Sequence, residues 1–244
     1  MLLRYNIFKE GDIVYLLIPL FVILIILTSF YVYSFFKDND NNNRYKTFIL
    51  KLLCALIFVS IGIISYIIND NRTYLDLFLL IGLGLCACGD ILLGLRRITN
   101  FHDGFFLIGT LVFIVAHVAY DTAFFINFKE DYIFMTILTI IFWGIFLVIT
   151  KYTHVDFRKF QIPCYIYMLS SAIMLSIATV SLIKIASLFN IIMFIGIFLF
   201  VLSDVLLCYT YFHSKIRDSF LVKLISSYAY FLGQGLIAIC IMLG

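Results

Sequence analysis

Residues 74–95 read YLDLFLLIGLGLCACGDILLGL, an apolar run of 22 residues that carries Asp90 well inside it. A helix of about 20 apolar residues crosses the hydrocarbon core of a bilayer, so the run predicts a transmembrane helix. A charged side chain in hydrocarbon costs about 2.5–3.5 kcal/mol on insertion scales, and such residues usually serve a function. Asp90 is therefore the first candidate for a functional site.

Seven further runs of similar length occupy most of the chain. Together they predict an all-α fold, a polytopic transmembrane helix bundle of about eight helices. The breaks between them are short and polar, so residues 1–244 are expected to form a single integral membrane domain of antiparallel neighbours. The predicted spans are Ile13–Phe36, Thr47–Ile68, Tyr74–Leu95, Phe105–Phe128, Tyr132–Thr150, Ile162–Ile183, Ser187–Phe212 and Phe220–Leu243.

The composition supports a lipid environment. Hydrophobic residues make up 64% of the chain and charged residues 13%, whereas a soluble domain is about half apolar and a quarter charged. The net charge of +3 comes without a basic block, so no nucleic-acid partner is expected. Six cysteines lie in apolar runs without metal or redox spacing and are interpreted as packing residues; they are Cys54, Cys86, Cys88, Cys164, Cys208 and Cys240.

Lysine and arginine predict the orientation in the membrane, because cytosolic loops are enriched in both. The breaks after spans one, three, five and seven, together with the adjoining ends of the spans, carry twelve of them, against five on the other side. Both termini are therefore expected to lie outside the cytosol, in a bacterial plasma membrane or the endoplasmic reticulum. The twelve are Lys37, Arg44, Lys46, Lys51, Arg96, Arg97, Lys151, Arg158, Lys159, Lys215, Arg217 and Lys223; the five are Arg4, Lys9, Arg72, Lys129 and Lys184.

A short internal similarity links spans three and seven. Residues 89–93 read GDILL and residues 203–207 read SDVLL. Both helices run in the same direction, which suits a duplication of four spans. Five matching positions in a leucine-rich chain also arise by chance, so both explanations remain open.

Several ionisable or polar residues lie deep in the predicted spans. With a rise of 1.5 Å per helical residue, Asp90, Asp204, Gln234 and His117 lie about 9–20 Å from the nearest charges at the cytosolic side. All four can reach one cavity that opens there, whereas Asp121 lies deeper. Only His117 among the histidines is deep, which excludes a His-rich zinc site of the ceramidase type. No metal or cofactor is predicted, although one histidine with two or three aspartates leaves an ion site open.

Helical spacing gathers polar and small residues on one face of five spans, which predicts a lined pocket. The stripe of span three consists of small residues that permit close approach of a neighbouring helix. The faces comprise Gly82, Cys86, Asp90 and Gly94 on span three; Thr110, Phe113, His117, Tyr120 and Asp121 on span four; Tyr167, Ser170, Ser171, Met174 and Ala178 on span six; Gly196, Phe200, Asp204 and Cys208 on span seven; and Ser226, Ser227, Tyr230, Gln234 and Ala238 on span eight.

Each of these residues also has a structural explanation. Asp90 and Asp204 can be satisfied by hydroxyl or backbone groups of neighbouring helices. His117 with Asp121 can form a pair within one helix, and Gln234 can bond between helices as amides often do in membranes. Arg96 and Arg97, like the other cations of the cytosolic breaks, can be plain topology determinants or can hold a lipid phosphate.

The deep residues fall in a pattern that resembles the lysoplasmalogenase family, the YhhN-like eight-span membrane proteins, over residues 82–240. This sequence departs from the family at Leu85, Cys86 and Gly233, where Phe, Ser and Ala are usual. The matching segments are Gly89-Asp90 with Leu93 (G-D-x-x-L), Phe106 to Tyr120 (F-x-x-G-x-x-x-F-x-x-A-H-x-x-Y), Pro163 with Tyr167, Met174 and Ala178 on span six, Gly196 to Asp204 (G-x-x-x-F-x-x-S-D), and Tyr230 with Gln234 (Y-x-x-A-Q).

The resemblance implies hydrolysis of the vinyl ether bond of a lysophospholipid substrate, which gives a fatty aldehyde and a glycerophospho-alcohol. Protonation of the β-carbon needs an acid that keeps its proton near neutral pH, and a carboxyl in hydrocarbon beside another carboxyl does so. Asp90 and Asp204 would be this pair in either order, with His117 relaying through water. The residues expected to contact the substrate are Tyr120, Tyr167, Tyr230 and Gln234.

A small transporter or a lipid receptor could use the same buried charges for proton coupling or binding. Transporters often have helices interrupted at corresponding places in two halves. Pro19 and Pro163 do not correspond, and only the segment 233–235 (GQG) hints at a break. A purely structural scaffold would not need two aspartates inside its spans.

Overall fold

The computed structural model describes residues 10–37, 41–125, 131–213, 215–216 and 218–244. Over these residues the chain forms eight long α-helices and no strand, so the predicted all-α bundle is confirmed. A 3₁₀ turn, Arg158–Phe160, precedes the sixth helix. The helices are α1 Glu10–Phe36, α2 Asn41–Ile68, α3 Tyr74–Ile98, α4 His102–Phe125, α5 Tyr132–Tyr152, α6 Gln161–Lys184, α7 Leu188–Phe212 and α8 Phe220–Cys240.

The largest difference from the predicted spans is the start of α2. The asparagine-rich segment 38–44 (DNDNNNR) between the first two predicted spans was expected to form a polar break, but α2 begins at Asn41. Asn43 Nδ2 donates to Lys37 O at 3.1 Å, and Thr47 Oγ1 donates to Asn43 O at 2.8 Å. The helix therefore continues past the apolar run, where polar side chains can be hydrated. The last three residues of the predicted fourth span, 126–128, lie outside the described residues.

The helix contacts follow one order in both halves of the chain. In the first half α1 packs on α2, α2 on α3, and α3 on α4; in the second half α5 packs on α6, α6 on α7, and α7 on α8. The halves are joined by contacts of α8 with α1, α2 and α3 and by the contact of α4 with α6. Of these, the pairs α2–α8 and α6–α4 occupy corresponding places in the two halves. This arrangement brings α3 and α7, which carry the two deep aspartates, against the interior of the bundle.

The outer surface of the bundle is apolar, as a lipid environment requires. Helix α5 is the most peripheral span, because only 17% of its most apolar stretch is buried inside the bundle. Helix α6 is central, and 61% of the corresponding stretch is buried. Ile133 and Ile140 of α5 are among the large hydrophobic residues left exposed. The polar groups of the chain are thereby concentrated inside the bundle and at its two ends.

Asp76, at the start of α3, has a structural function. Its Oδ2 atom accepts from Thr73 N at 2.8 Å, from Thr73 Oγ1 at 2.9 Å and from Asn69 Nδ2 at 3.2 Å. These bonds satisfy donors at the helix start and complement its dipole. Asp76 and Asp90 thus differ in purpose although they share one helix.

Most of the predicted cytosolic cations lie at the end of the bundle where α1 connects to α2, α3 to α4, α5 to α6 and α7 to α8; we call this the basic end. Arg44 lies in the first turn of α2, and Arg96 and Arg97 lie in the last turn of α3. Which side of a membrane the basic end faces stays a prediction. Arg4, Lys9, Lys129 and Arg217 lie outside the described residues.

Candidate functional site

A cavity between the helices contains both deep aspartates. Asp90 of α3, Asp204 of α7 and Tyr230 of α8 line it, together with Lys51 of α2 and Tyr167 of α6. Its empty space is about 830 Å³, counting the part that opens to solvent. The remaining wall is largely aromatic and aliphatic, so the polar groups face an apolar chamber.

Asp90 is held by an ion pair with Lys51. The Nζ atom of Lys51 lies 2.9 Å from Asp90 Oδ1, and Tyr230 OH donates to Oδ2 at 2.7 Å. Asp90 is 3% exposed and the lysine side chain 16%. A buried carboxylate with a cation on one oxygen and a hydroxyl donor on the other is stabilised in its charged form.

Asp204 has a different environment. Tyr167 OH donates to its Oδ1 atom at 2.7 Å, and Ser171 Oγ donates to Oδ2 at 3.3 Å. Among the described residues no lysine or arginine pairs with it, and its nearest basic group is His117 Nε2, 3.8 Å from Oδ2. A carboxyl group buried without a fixed cation has no charge partner to hold it ionised.

The hydrogen bonds around His117 indicate its tautomer. Ser170 Oγ lies 2.8 Å from Tyr167 O, a carbonyl that can only accept, and 2.8 Å from His117 Nδ1. Since a hydroxyl has one hydrogen, both contacts are satisfied only if Nδ1 donates to Ser170. The neutral ring then has an unprotonated Nε2 atom, which lies 3.8 Å from Asp204 Oδ2 and has no hydrogen-bond partner among the described residues. A proton on the carboxyl group of Asp204 would give this nitrogen a donor.

Two of the predicted substrate-contacting residues lie behind the cavity and do not line it. Tyr120 OH donates to Gln234 Oε1 at 2.9 Å, and Gln234 Nε2 lies 3.6 Å from Cys86 Sγ. All three side chains are fully buried. They fasten α3, α4 and α8 together beneath the site, which is the interhelical function that the sequence left as an alternative for Gln234.

The remaining predicted residues lie apart from the two aspartates. Arg96 and Arg97 line a second cavity at the basic end, next to the first. Asp121 is partly buried, and its Oδ1 atom has no hydrogen-bond partner among the described residues. Within the same part of the chain no three His, Cys, Asp or Glu side chains are grouped as a metal ion would need.

Lys51 is the site residue that sequence reasoning missed, because it was counted only as a topology determinant. A signal was present: Lys51 lies four residues inside the predicted span, and α2 contains no acidic residue that could neutralise it. A lysine so placed needs a carboxylate from another helix. Asp90 was the deep aspartate nearest to the same end of the bundle.

A family model described as YhhN family matches residues 44–241. The matched region covers α3 to α8 whole and all of α2 from Arg44 onward, and so includes every residue of the cavity that lies on those helices. No curated protein and no solved structure matches the chain. By the extent of this match and the order of its motifs, the chain belongs to the YhhN family, the lysoplasmalogenase family.

Proposed function

We propose that this protein is a lysoplasmalogenase, an alkenyl ether hydrolase that cleaves the vinyl ether bond of lysoplasmalogens. The products are a fatty aldehyde and glycerophosphocholine or glycerophosphoethanolamine. One observation carries the proposal: a single apolar cavity holds one carboxylate with a fixed cation, Asp90, and one carboxyl group without, Asp204. Family membership supports a hydrolase of this kind.

The first step assigns the acid. Asp204 transfers its proton to the β-carbon of the vinyl ether, and the α-carbon becomes part of an oxocarbenium ion. His117 lies beside Asp204 with an unprotonated Nε2 atom, which can accept a proton from the attacking water and pass it to the ionised Asp204. The negative charge of Asp90, which lines the same cavity, stabilises the cation, as paired carboxylates do in glycoside hydrolysis.

The second step consumes water. Water adds to the α-carbon while the ionised Asp204, assisted by His117, accepts one of its protons. The resulting hemiacetal loses the glycerol oxygen, which takes up the hydroxyl proton as the carbon–oxygen bond breaks. Aldehyde and alcohol form with the net uptake of one water molecule, and Asp204 is protonated again.

The position of the aspartates suits a lysolipid. The vinyl ether of such a lipid lies just below its head group, and Asp90 is six residues from Arg96 at the basic end, about 9 Å along a helix. The rival function of transport has lost its one sequence indication, because α8 runs unbroken through residues 233–235.

The test is release of fatty aldehyde from a lysoplasmalogen by the purified protein, compared with the variant Asp204→Asn. An asparagine retains an oxygen for the Tyr167 hydroxyl but cannot donate the proton to carbon. We expect kcat to fall by a factor of about 10²–10⁴, the usual contribution of a general acid. Asp103→Asn, which changes an exposed aspartate of the basic end, is the matched control and should retain activity.

Two outcomes would contradict the proposal. If Asp204→Asn keeps the activity of Asp103→Asn, Asp204 is not the acid. If the folded wild-type protein releases no aldehyde from either the choline or the ethanolamine substrate, the reaction itself is wrong. Transport or binding of a lipid would then be the function to examine.

A further inference from the structure

A second cavity at the basic end concentrates positive charge; we call it the vestibule. It adjoins the cavity of the two aspartates, since Phe35 and Tyr211 line both. One acidic side chain, Asp218, is found on its wall in the described part of the chain, 3.9 Å from one of the four lysine and arginine residues there, Lys223. Those four residues are Arg44, Arg96, Arg97 and Lys223.

Arg96 is positioned in the vestibule by aromatic rings. Its guanidinium carbon lies 4.8 Å from the ring centre of Phe106 and 4.5 Å from that of Tyr211. The Nη1 atom is buried and has no hydrogen-bond acceptor among the described residues. A buried donor without an acceptor is costly, so an acceptor supplied by a bound ligand would stabilise this nitrogen.

The chemistry of the wall selects the class of anion. Arginine binds phosphate through two parallel hydrogen bonds, and stacking on aromatic rings leaves the edge of its guanidinium available for them. The guanidinium of Arg97 lies over the ring of Phe35, 4.3 Å from the ring centre. Neighbouring cations add electrostatic attraction that a zwitterionic or anionic head group would feel and an uncharged glyceride would not.

We propose that the vestibule binds the phosphate of the lysolipid head group, with Arg96 as the main contact and Arg44 as the second. The identity of the lipid rests on the proposed function. The vestibule adds the means of recognition, by which the protein selects alkenyl lipids that carry a phosphate. The phosphate binds at the basic end, the vinyl ether reaches the two aspartates, and the chain extends along the apolar wall.

The test measures binding without catalysis. An ester-linked lysophosphatidylcholine and a monoacylglycerol with the same acyl chain lack the vinyl ether, so their affinities for the purified full chain do not depend on hydrolysis. We expect Arg96→Gln to weaken lysophosphatidylcholine binding about tenfold or more, the usual effect of losing a charged hydrogen bond, and to leave monoacylglycerol binding unchanged. Arg44→Gln should act in the same direction and covers the case in which Arg96→Gln does not fold.

Lys46→Gln is the matched control, because Lys46 is an exposed cation two residues from Arg44 and does not line the vestibule. A further measurement uses inorganic phosphate as a competitor. Weak competition with lysophosphatidylcholine supports recognition of a phosphate carried by a lipid. Saturation of the vestibule by inorganic phosphate, equally in the presence and absence of lipid, would overturn the proposal. Equal weakening of both lipids, or no weakening in either arginine variant, would also overturn it. None of these results depends on whether aldehyde is released.

Discussion

At the scale of single residues, the two deep aspartates are distinguished by their partners and not by their depth. Lys51 gives Asp90 a permanent cation, whereas Asp204 receives two hydroxyl hydrogen bonds and faces an imidazole lone pair. Such a difference is what divides the functions of acid and ionised carboxylate between two like groups. Replacing Lys51 should therefore act mainly by removing the cation that pairs with Asp90.

We predict that Lys51→Met lowers the thermal stability of the protein in detergent and that adding Asp90→Asn restores it. Breaking a buried ion pair leaves an uncompensated charge and costs about 3–5 kcal/mol; we expect about 2–3 kcal/mol here, since the lysine side chain is 16% exposed. In the double variant the amide oxygen still accepts from Tyr230. Activity should be lost in both variants, because Lys51→Met removes the cation that stabilises the charged form of Asp90, and the double variant removes the carboxylate as well.

The control for this prediction is Lys46→Met, which removes an exposed cation from the same end of α2. It should not change the unfolding temperature. If Lys51→Met and Lys46→Met behave alike, Lys51 has only a topological function. If the double variant is no more stable than Lys51→Met, the ion pair is not what the lysine contributes.

The sequence allowed much of the site to be predicted but not its internal bonding. Depth and helical face identified Asp90, Asp204, Tyr167 and Tyr230, since both quantities follow from a regular rise and period. The number of residues per helical turn does not show which helices pack against one another. For that reason Lys51, on a helix with no other ionisable group at that depth, was not connected to Asp90.

At the scale of helices, the stripe of small residues on α3 functions as predicted. The ring of Tyr120 lies against Gly82, where an added Cβ atom would overlap the ring, and the ring of Phe48 lies against Gly94. Small residues let helix axes approach closely where no hydrophobic force drives association. The approach at Gly82 also holds the Tyr120 hydroxyl against Gln234.

We predict that Gly82→Ala destabilises the protein by about 1–3 kcal/mol, the typical cost of overpacking a buried site. The Tyr120 ring is fully buried and hydrogen-bonded, so it cannot move aside cheaply. Gly84→Ala is the matched control, because a Cβ atom at Gly84 meets nothing within 4 Å and alanine has the better helix propensity. Thermal unfolding should show a lower midpoint for Gly82→Ala alone; equal midpoints for the two variants would contradict the packing argument.

The ends of the helices were less predictable than their existence. Apolar length defines the part of a helix that lies in hydrocarbon, but α2 continues into the asparagine run because the backbone hydrogen bonds are kept and the side chains face water. Neither the continued backbone hydrogen bonding nor the hydration of the side chains can be recognised from the hydropathy of the sequence. The same reasoning explains why α4 begins at His102, three residues before the predicted span.

At the scale of the whole molecule, the two halves place equivalent residues at the centre. Gly82 precedes Asp90, and Gly196 precedes Asp204, by the same eight residues. Tyr120 and Gln234 each follow their aspartate by thirty residues, and these two side chains are hydrogen-bonded to each other. With the matching order of helix contacts within each half, this spacing supports the duplication of four spans as a prediction. The halves differ at Lys51 and His117, the residues that give the two aspartates their different environments.

If the proposed function is correct, the orientation of this bundle decides which membrane leaflet supplies the lysolipid, because the vestibule and the nearer aspartate both lie toward the basic end. Twelve of the seventeen lysines and arginines belong to that end, so the positive-inside rule places it in the cytosol. Lysolipid would then enter from the cytosolic leaflet and both chain termini would lie outside.

We therefore predict that, in intact cells, a membrane-impermeant maleimide labels Asp70→Cys and does not label Lys46→Cys. Asp70 is exposed in the connection between α2 and α3, and Lys46 is exposed near the start of the same α2 at the basic end. Permeabilised cells should label both, and the unmodified chain measures the background from its own six cysteines. Labelling of Lys46→Cys alone in intact cells would invert the bundle and require that lysolipid reach the aspartates from the outer leaflet.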